Sequence, residues 1–599
     1  MSLTSRSSLL LVGLALTLST ACGDDTTGTE STAGTTDSAT TDTTAGTSNA
    51  TTMDSTTNTS TDPSGTESDT MGSTSDPSTD PTDPSTDPTD PTTDSTDPTT
   101  DSTDPTTDST DPTTDPTTDT DPTTDTDTET DTEGLIAEIP ETCMEAENTT
   151  GTVGCVFYAV DMDAHDLAET LQYAISIANV QLNQDANVVI EQKVGNTWQP
   201  VAGPAVVGAL NLQTFPLPDK HTDDSQFAPG NAYRITADVP VIAYQFNPID
   251  GQSSFLSDAS MLYPVPALDT VNDVVAWTSM MDNTNTFQHS YATVVAAKDG
   301  TTVTVTPSVA TAAGNGVPAG QPGVPFDIQM NEGDVLSVAV QSLGTSMTGT
   351  RFESNDDHPI SLFAGQECAL IPADTCCCDH MQEQLSGVRL WGKNFIAARQ
   401  PVRNPAAPEN VLWQVYSAGD DNTIQFTADP GVVGLPGNMV NLNKGDHLEF
   451  YVTGPANEPG DFWIQSDKAI AVVNYMTGSE NISPGNTTGD PAAAQTPPLE
   501  QFLPRYVVLV PGTWVNDVAV VTRMAGATVT IDGVPINDAD FNPVAASDWE
   551  VARVSIPDGV HVLDGADDPF GVVIVGYDQW DSYAYVGGVG TEIINPVIE

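Results

Sequence analysis

The chain has 599 residues, with 84 acidic and 15 basic side chains and a formal net charge of −69 at pH 7. This excess of negative charge argues against nucleic acid as a partner, because binding to a phosphate backbone depends on lysine and arginine. It is typical of a soluble, self-repelling surface protein, and less often of a protein that binds divalent cations.

The first 21 residues have the form of a secretory signal peptide. Arg6 lies near the start, and an apolar run too short to stay in a membrane as a spanning helix follows it. The end of this segment, Leu18-Ser19-Thr20-Ala21-Cys22-Gly23, resembles a bacterial lipoprotein signal, in which the cysteine becomes the acylated N-terminus. The resemblance implies lipidation at Cys22 and, through Gly23, sorting to the outer membrane. Ordinary cleavage to a secreted protein is the alternative.

A low-complexity segment follows the cysteine. Residues 24–133 are mostly Thr, Asp, Ser, Pro and Gly, with 28 carboxylates and no Lys or Arg. Burial of so few apolar groups cannot offset the conformational entropy lost on folding. This segment is therefore predicted to be disordered. We therefore divide the chain into a signal peptide (1–21), a lipidated cysteine with a disordered stalk (22–133) and a globular head (134–599).

The head is predicted to be all-β. Apolar runs of four to eight residues, rich in Val, Ile, Tyr and Phe, alternate with Gly, Asn, Asp and Pro, which is typical of strands and turns. A strand is predicted at 156–160, and the only helical pattern is a short one at 165–177.

Three weak sequence patterns recur along the head. Similar closing strands occur at 240–244, 359–363, 469–473 and 570–574, spaced by 119, 110 and 101 residues. Hairpin strands recur at 186–190, 301–305, 422–426 and 527–531, and strands leading into Gly-containing turns recur at 328–334, 440–446 and 554–559. These spacings predict about four repeats of roughly 110 residues with about six strands each. Packed β-sandwich-like modules are the favoured arrangement, and a four-fold propeller-like ring is the alternative.

Seven cysteines are present, and six remain for the head if Cys22 carries lipid. An even number in an exported protein favours disulfides, although sequence alone cannot choose among 15 pairings. Cys143 with Cys155 is a plausible local bridge, and Cys368 could pair with one of Cys376, Cys377 and Cys378. A zinc site that uses these thiols and a nearby histidine is the less favoured alternative.

One stretch of the head is specific enough to suggest a family. A strand with Gly365 and Cys368 is followed by a Cys-Asp-His-Met-Gln-Glu-Gln segment and then by a Trp-Gly pair. This arrangement resembles the IgGFc-binding N-terminal domain family over most of 140–595. The resemblance implies an extracellular, β-rich, non-catalytic binding or adhesion domain, with antibody Fc itself a less favoured ligand. The residues that match the family motif are Gly365, Cys368, Cys378, Asp379, His380, Glu383, Gln384, Trp391 and Gly392.

Catalytic signatures are weak in comparison. The sequence has no Gly-x-Ser-x-Gly elbow, no His-Glu-x-x-His helix and no phosphate loop. Cys378, Asp379 and His380 place a thiol, a carboxylate and an imidazole side by side, but catalytic partners are normally brought together by the fold. We interpret Asp379, His380, Glu383 and Gln384 as a structural polar cluster, and we predict no catalytic residues.

Besides that zinc alternative, a weak calcium site is the other cofactor candidate. Asp161, Asp163 and Asp166 alternate with other residues after the predicted strand, and carboxylate oxygens suit Ca²⁺. The segment lacks the glycine and the distal glutamate of an EF-hand loop, so a solvated turn is the simpler interpretation. Trp413 and Trp463 lie within strand patterns, where core packing is the default.

Together these features predict a lipoprotein displayed at the cell surface. Its head is expected to bind an extracellular glycan, matrix component or protein without catalysis. One alternative is a hydrolase of an extracellular polymer that uses carboxylates at 160–166 or 379–383. Another is a passive structural component of the envelope.

Overall fold

Short β-branched and aromatic runs between Gly, Asn and Asp turns form antiparallel strands throughout the globular part of the chain. The computed structural model describes residues 139–249, 256–455 and 459–596. The predicted signal peptide, Cys22 and the stalk lie outside these residues and stay predictions. Within the described residues no helix is long and apolar enough to cross a bilayer.

The described strands fall into four groups in chain order, which we call modules 1 to 4. Module 1 contains β1 (Gly154–Ala159), β2 (Ala174–Asn179), β3 (Ala186–Val194), β4 (Thr197–Val207), β5 (Leu212–Pro216), β6 (Gln226–Ala228), β7 (Tyr233–Asn247) and β8 (Asp258–Leu262). Module 2 contains β9 (Val271–Asp273), β10 (Met280–Met281), β11 (Phe287–Gln288), β12 (Ser290–Ala296), β13 (Thr301–Thr306), β14 (Phe326–Met330), β15 (Val335–Ala339), β16 (Arg351–Ser354), β17 (Ile360–Ala369) and β18 (Asp379–Leu385).

Modules 3 and 4 complete the chain. Module 3 contains β19 (Asn394–Ala397), β20 (Val411–Ser417), β21 (Asn422–Ala428), β22 (Met439–Leu442), β23 (His447–Val452), β24 (Phe462–Ser466), β25 (Ile470–Tyr475) and β26 (Ala493–Gln495). Module 4 contains β27 (Arg505–Val510), β28 (Asn516–Met524), β29 (Thr530–Ile531), β30 (Val534–Pro535), β31 (Phe541–Pro543), β32 (Trp549–Ser555), β33 (Gly559–Asp564), β34 (Gly571–Asp578) and β35 (Asp581–Val586). The helical segments are short: α1 (Cys143–Ala146), α2 (Ser479–Ile482) and single turns at Val265–Ala267, Val388–Leu390, Leu499–Gln501 and Asp538–Asp540.

All four modules share one topology. An inner sheet runs β8–β7–β2–β5 in module 1, β18–β17–β12–β15 in module 2, β26–β25–β20–β23 in module 3 and β35–β34–β28–β32 in module 4. An outer sheet runs β4–β3–β7–β1, β14–β13–β16–β9, β22–β21–β24–β19 and β30–β29–β33–β27 in the same order. In module 1 the 15-residue strand β7 serves both sheets, so the two join into one. The repeat therefore has eight strand positions, two more than expected.

The last strands of the modules meet one another. β8 contacts β18, β18 contacts β26, β26 contacts β35, and β35 returns to contact β8. This closed cycle defines a central axis, and it shows that sandwich-like modules and a four-fold ring describe the same molecule. Apolar clusters span the module boundaries: Tyr244 of module 1 packs with Tyr585 of module 4, and Trp277 of module 2 with Tyr475 of module 3.

The all-β prediction is confirmed, but two details differ. Residues 165–177 form no helix: a turn occupies 166–170, and β2 begins at Ala174 between β5 and β7. Burial of all six β2 residues outweighs a weak helical pattern. The turn at 554–559 lies between β32 and β33, one strand position later than its counterparts at 328–334 and 440–446.

Candidate functional site

The family-like motif occupies the interior of the ring. β17 and β18 pair in an antiparallel hairpin, so that Gly365 lies opposite Gln382 and Phe363 opposite Gln384. A side chain at Gly365 would overlap the Tyr291 ring, and one at Gly392 would overlap Pro498. The lack of a side chain at these two motif positions therefore allows strands and modules to pack closely.

The polar motif residues also bind neighbouring modules. The Gln384 Oε1 atom accepts a hydrogen bond from the Tyr263 backbone at 2.9 Å, and Glu383 Oε1 accepts one from the Gln495 backbone at 3.1 Å. The Trp391 indole donates to the Ser386 carbonyl at 3.0 Å. Their contacts are those of a structural polar cluster.

The six head cysteines are all bonded in pairs. Cys143 is joined to Cys155, Cys368 to Cys378, and Cys376 to its neighbour Cys377. A thiolate zinc site is therefore wrong for this structure, because no described cysteine keeps a free sulfur. The Cys378-Asp379-His380 run also lacks a nucleophile, since the Cys378 sulfur is in a disulfide.

Burial removes the rest of that run from solvent. Asp379 and His380 are 0% exposed. Burial lowers the pKa of His380 to about 3, so the imidazole is neutral at physiological pH. Burial raises the pKa of Asp379 well above its usual range, and Asp581, Asp490 and Asp258 raise it further. A polymeric substrate has no access to these groups, so the 379–383 region does not form the carboxylate cleft that a hydrolase would need.

A different group of side chains lies where modules 1 and 2 meet. The short strand β6, although it belongs to module 1 in sequence, pairs with β15 of module 2. The loop before β6 therefore lies beside the start of β12 and the end of β17. This placement brings together six residues that we call the junction cluster: Asp163, Glu169, Asp223, Asp224, His289 and Glu367.

Two ligand triads can be recognised within the junction cluster. One consists of Asp224, His289 and Glu367, and the other of Asp163, Glu169 and Asp223; within each, one ligand atom per residue lies within 4.8 Å of the others. Carboxylate oxygens with or without imidazole nitrogen are the donor sets that bind divalent cations in proteins.

His289 occupies the centre of the first triad. Its Nδ1 atom lies 2.7 Å from Glu367 Oε1 and 3.0 Å from Asp224 Oδ1, while its backbone N–H donates to Glu367 Oε2 at 2.8 Å. Burial alone would lower the pKa of His289, but Glu367 and Asp224 raise it above its usual value. Glu367 and Asp224 therefore favour the protonated form of His289, and that form would offset part of the negative charge of this triad.

Asp163 is the most buried member of the second triad. Its Oδ2 atom accepts a hydrogen bond from the Asp224 backbone at 2.8 Å, which joins the two triads. Burial raises the pKa of Asp163 well above its usual range, and the Glu367 charge adds to this effect. Burial likewise raises the pKa of Glu169.

The favoured interpretation of the Asp161–Asp166 segment as a solvated turn is wrong for Asp161 and Asp163, which are buried. Asp163 belongs to the junction cluster, whereas Asp161 accepts a hydrogen bond from the Lys220 backbone at 3.0 Å, and burial raises its pKa to about 7. Asp166 is exposed and joins neither triad. Sequence analysis missed Glu169, Asp223, Asp224, His289 and Glu367. The only local sign of the cluster in the sequence is the pair of adjacent carboxylates at 223 and 224.

The cavities in the described part of the chain differ widely in size. Three internal cavities have volumes of about 20 Å³ each, close to the space of a single water molecule. A larger groove of about 390 Å³ lies where residues 147–150 meet Leu268, Arg389 and Glu592, and the ion pair of Arg389 with Asp269 forms part of its wall. Trp413 is buried in the module 3 core against Phe462.

These features define a disulfide-bonded all-β repeat protein of an oxidising, extracellular type. A family model described as IgGFc binding protein matches residues 258–576, which is more than half of the chain. The chain belongs to this family. The match begins at the first residue of β8 and ends within β34, so most of module 1 and the last strand, β35, lie outside it. No curated protein and no solved structure matches the chain.

Proposed function

We propose that this protein is a non-catalytic recognition module that is displayed outside the cell and binds an extracellular protein, glycan or matrix component. Membership of the IgGFc-binding family carries the proposal, because that family is named for binding to another protein. The three disulfides support an exported location, since such bonds persist in oxidising compartments.

The architecture supports recognition by an exposed surface. Most large aromatic side chains of the modules are buried in the hydrophobic cores. The three small cavities described above are each about as large as one water molecule. A macromolecular ligand would therefore contact loops and outer sheets. The junction cluster offers half-exposed carboxylates at such a surface, and Ca²⁺ bound there would make recognition cation-dependent.

We further propose that the protein is displayed at a bacterial outer membrane. Lipid on Cys22 would anchor the chain, and the Thr/Asp/Pro-rich stalk would hold the head away from the membrane. As a flexible coil the roughly 110-residue stalk would span about 60 Å, and in polyproline form about 340 Å. Cys22→Ala is expected to release the protein from membranes, and a variant that still fractionates with them would contradict the anchor.

Binding of the purified full chain to glycan arrays and to a panel of extracellular proteins, including antibody Fc, tests the recognition role. A saturable signal is expected, and no signal for either class would favour a structural role. The Glu169→Gln/Asp224→Asn variant separates the two parts of the proposal. If Ca²⁺ at the junction cluster takes part, this variant loses the chelator-sensitive part of binding and keeps its folded circular dichroism spectrum.

A further inference from the structure

The two triads of the junction cluster differ in their donor atoms. One offers carboxylate oxygens alone, whereas the triad of Asp224, His289 and Glu367 adds an imidazole nitrogen to two carboxylates. We call it the imidazole triad. Oxygen-only sets suit Ca²⁺, and sets that include imidazole suit Zn²⁺ and related transition metals. The two triads are therefore expected to prefer different cations.

Paired strands hold two members of the imidazole triad. β12 and β17 are antiparallel, with Ser290 opposite Gln366. His289 and Glu367 are the next residues outward, so they lie side by side at the end of this ladder. The His289 backbone N–H donates to Glu367 Oε2 at 2.8 Å, and the Glu367 backbone N–H donates to the His289 carbonyl at 3.3 Å. The positions of these two residues therefore depend on the sheet rather than on a loop.

The His289 ring presents one nitrogen to both carboxylates. Its Nδ1 atom lies 2.7 Å from Glu367 Oε1 and 3.0 Å from Asp224 Oδ1. The ring packs against Phe287 with a centroid separation of 4.2 Å, which helps to fix this orientation. A single N–H cannot make two strong, linear hydrogen bonds at once. A divalent cation between the three atoms binds one nitrogen and two oxygens together, so it satisfies more of these groups than a proton does.

Asp224 brings the third ligand from module 1. It lies two residues before β6, and its backbone N–H donates to the buried Asp163 carboxylate at 2.8 Å. The Asp224 side chain is 56% exposed, whereas the side chains of His289 and Glu367 are 17% and 9% exposed. An ion can therefore reach the triad from solvent and keep one coordination position open to water.

Spacing and charge both fit a tetrahedral Zn²⁺ ion. Zinc binds nitrogen and oxygen at about 2.0–2.2 Å, so its ligand atoms lie about 3.4 Å apart. The two separations from His289 Nδ1, 2.7 and 3.0 Å, need to widen by only about 0.4–0.7 Å. The exposed Asp224 side chain can supply part of this movement by rotation. Two carboxylates and a neutral imidazole then balance the charge of a divalent ion.

We propose that Asp224, His289 and Glu367 bind a divalent transition-metal ion of the Zn²⁺ type. The ligands are His289 Nδ1 and one oxygen of each carboxylate, with water in the fourth position. The site uses no cysteine, so it is distinct from the thiolate site excluded above. It joins the loop before β6 in module 1 to the paired strands of module 2, and it leaves the all-carboxylate triad to the Ca²⁺ of the proposed function. The site goes beyond that function, because it needs no extracellular ligand.

Equilibrium dialysis of the purified full chain against ZnCl₂, after treatment with chelator and in excess CaCl₂, tests the proposal. Elemental analysis should find one equivalent of zinc whose affinity falls at least tenfold in Asp224→Asn, because loss of even an indirect partner of a metal ligand costs about 10–100-fold. Asp223→Asn is the matched control, since it alters the next residue and the other triad, and it should keep this equivalent. Both aspartates are exposed, so both variants should fold. Equal zinc binding by the two variants, or no zinc bound in excess Ca²⁺, would overturn the site.

Cobalt(II) provides a measurement of the coordination geometry that does not depend on an altered chain. Four-coordinate Co²⁺ absorbs visible light strongly and six-coordinate Co²⁺ weakly, so the spectrum separates a tetrahedral site from a hydrated ion on carboxylates. The natural protein and Asp223→Asn should show the strong spectrum, and Asp224→Asn should lose it. A weak spectrum in the natural protein would overturn the site. Neither measurement uses an extracellular ligand, so failure of this site and failure of recognition on the arrays can be told apart.

Discussion

The axis and the junction cluster are both groups of carboxylates at module boundaries, but they are neutralised in different ways. At the junction cluster His289 lies between Glu367 and Asp224, and these carboxylates raise its pKa. At the axis lie four fully buried aspartates, Asp258, Asp379, Asp490 and Asp581, which we call the axial aspartates. Burial raises the pKa of each of them, and Arg403, whose charge acts on Asp490, also pairs with Glu409. Burial therefore favours the neutral carboxyl at the axis, whereas a histidine favours the ionised carboxylates beside it at the junction cluster.

Substitution of Glu383 is expected to have the largest effect on the pH dependence of stability. It tests how strongly burial beside the axis disfavours an ionised carboxyl group. Burial raises the pKa of Glu383 to about 8. Stability from this neutral carboxyl is fully present below its usual pKa and is lost as the pH rises through about 8. The free energy of unfolding should fall by several kcal/mol between pH 5 and pH 8 from this group alone. Glu383→Gln should flatten that part of the pH profile in urea titrations, and an unaltered profile would contradict the assignment.

The Cys368–Cys378 disulfide joins the two regions, because Cys368 follows Glu367 of the junction cluster and Cys378 precedes Asp379 of the axis. Cys368→Ala/Cys378→Ala should lower the free energy of unfolding by about 3 kcal/mol, since it releases a loop of about ten residues in the unfolded chain. The matched variant Cys143→Ala/Cys155→Ala removes a disulfide that closes a loop of similar length between α1 and β1. If the comparison is right, only the first pair should also weaken Zn²⁺ binding in calorimetric titrations.

His289→Gln tests whether the imidazole of His289 offsets the negative charge of the junction cluster. The variant leaves Glu367, which is 7% exposed, without its charged partner, and should lower the free energy of unfolding by about 2 kcal/mol at pH 6. Because the pKa of His289 is raised, its contribution is full below its usual pKa of about 6.5 and fades as the pH rises through the folded value. The difference between variant and natural protein should therefore shrink towards pH 9. A difference that stays constant with pH would show that the imidazole acts only by packing.

Ser257→Ala is expected to have the smallest effect. It removes the hydroxyl that contacts both oxygens of Asp581 but leaves the Ser257 backbone donor at 3.3 Å. The loss should be about 1 kcal/mol, measured by denaturant titration. An unchanged free energy of unfolding would show that the backbone donor alone holds Asp581.

Local patterning predicted the strands because side-chain type and turn residues act over a few positions. The closing strands at 240–244, 359–363, 469–473 and 570–574 all lie in the same position of the module, in β7, β17, β25 and β34. The pattern could not reveal that Asp258, Asp379, Asp490 and Asp581 meet, because that depends on how complete modules close on one another. The repeat itself held a usable signal, since an aspartate follows each closing strand within about 20 residues.

The junction cluster was less accessible to sequence analysis. The sequence offers Asp163 only as a weak calcium candidate with Asp161 and Asp166, its neighbours along the chain, but its spatial neighbours are Glu169 and Asp223. The pairing of β6 with β15 of another module produces this arrangement, and a three-residue strand carries almost no signal of its own. The family motif, in contrast, was recognised from sequence but lies in the interior, where it holds strands together.

Ring closure also has a consequence for folding outside the cell. The hydrogen bonds from Ser257 to Asp581 join residues 324 positions apart, so the axis can form only after the last module has emerged. Each sandwich is built mainly from contacts within its own hundred or so residues and can fold earlier, whereas closure over such a separation is intrinsically slow. Until then the axial aspartates remain hydrated and ionised. Closure of the ring should therefore be the slow last step of folding, and it must remove water from these four side chains.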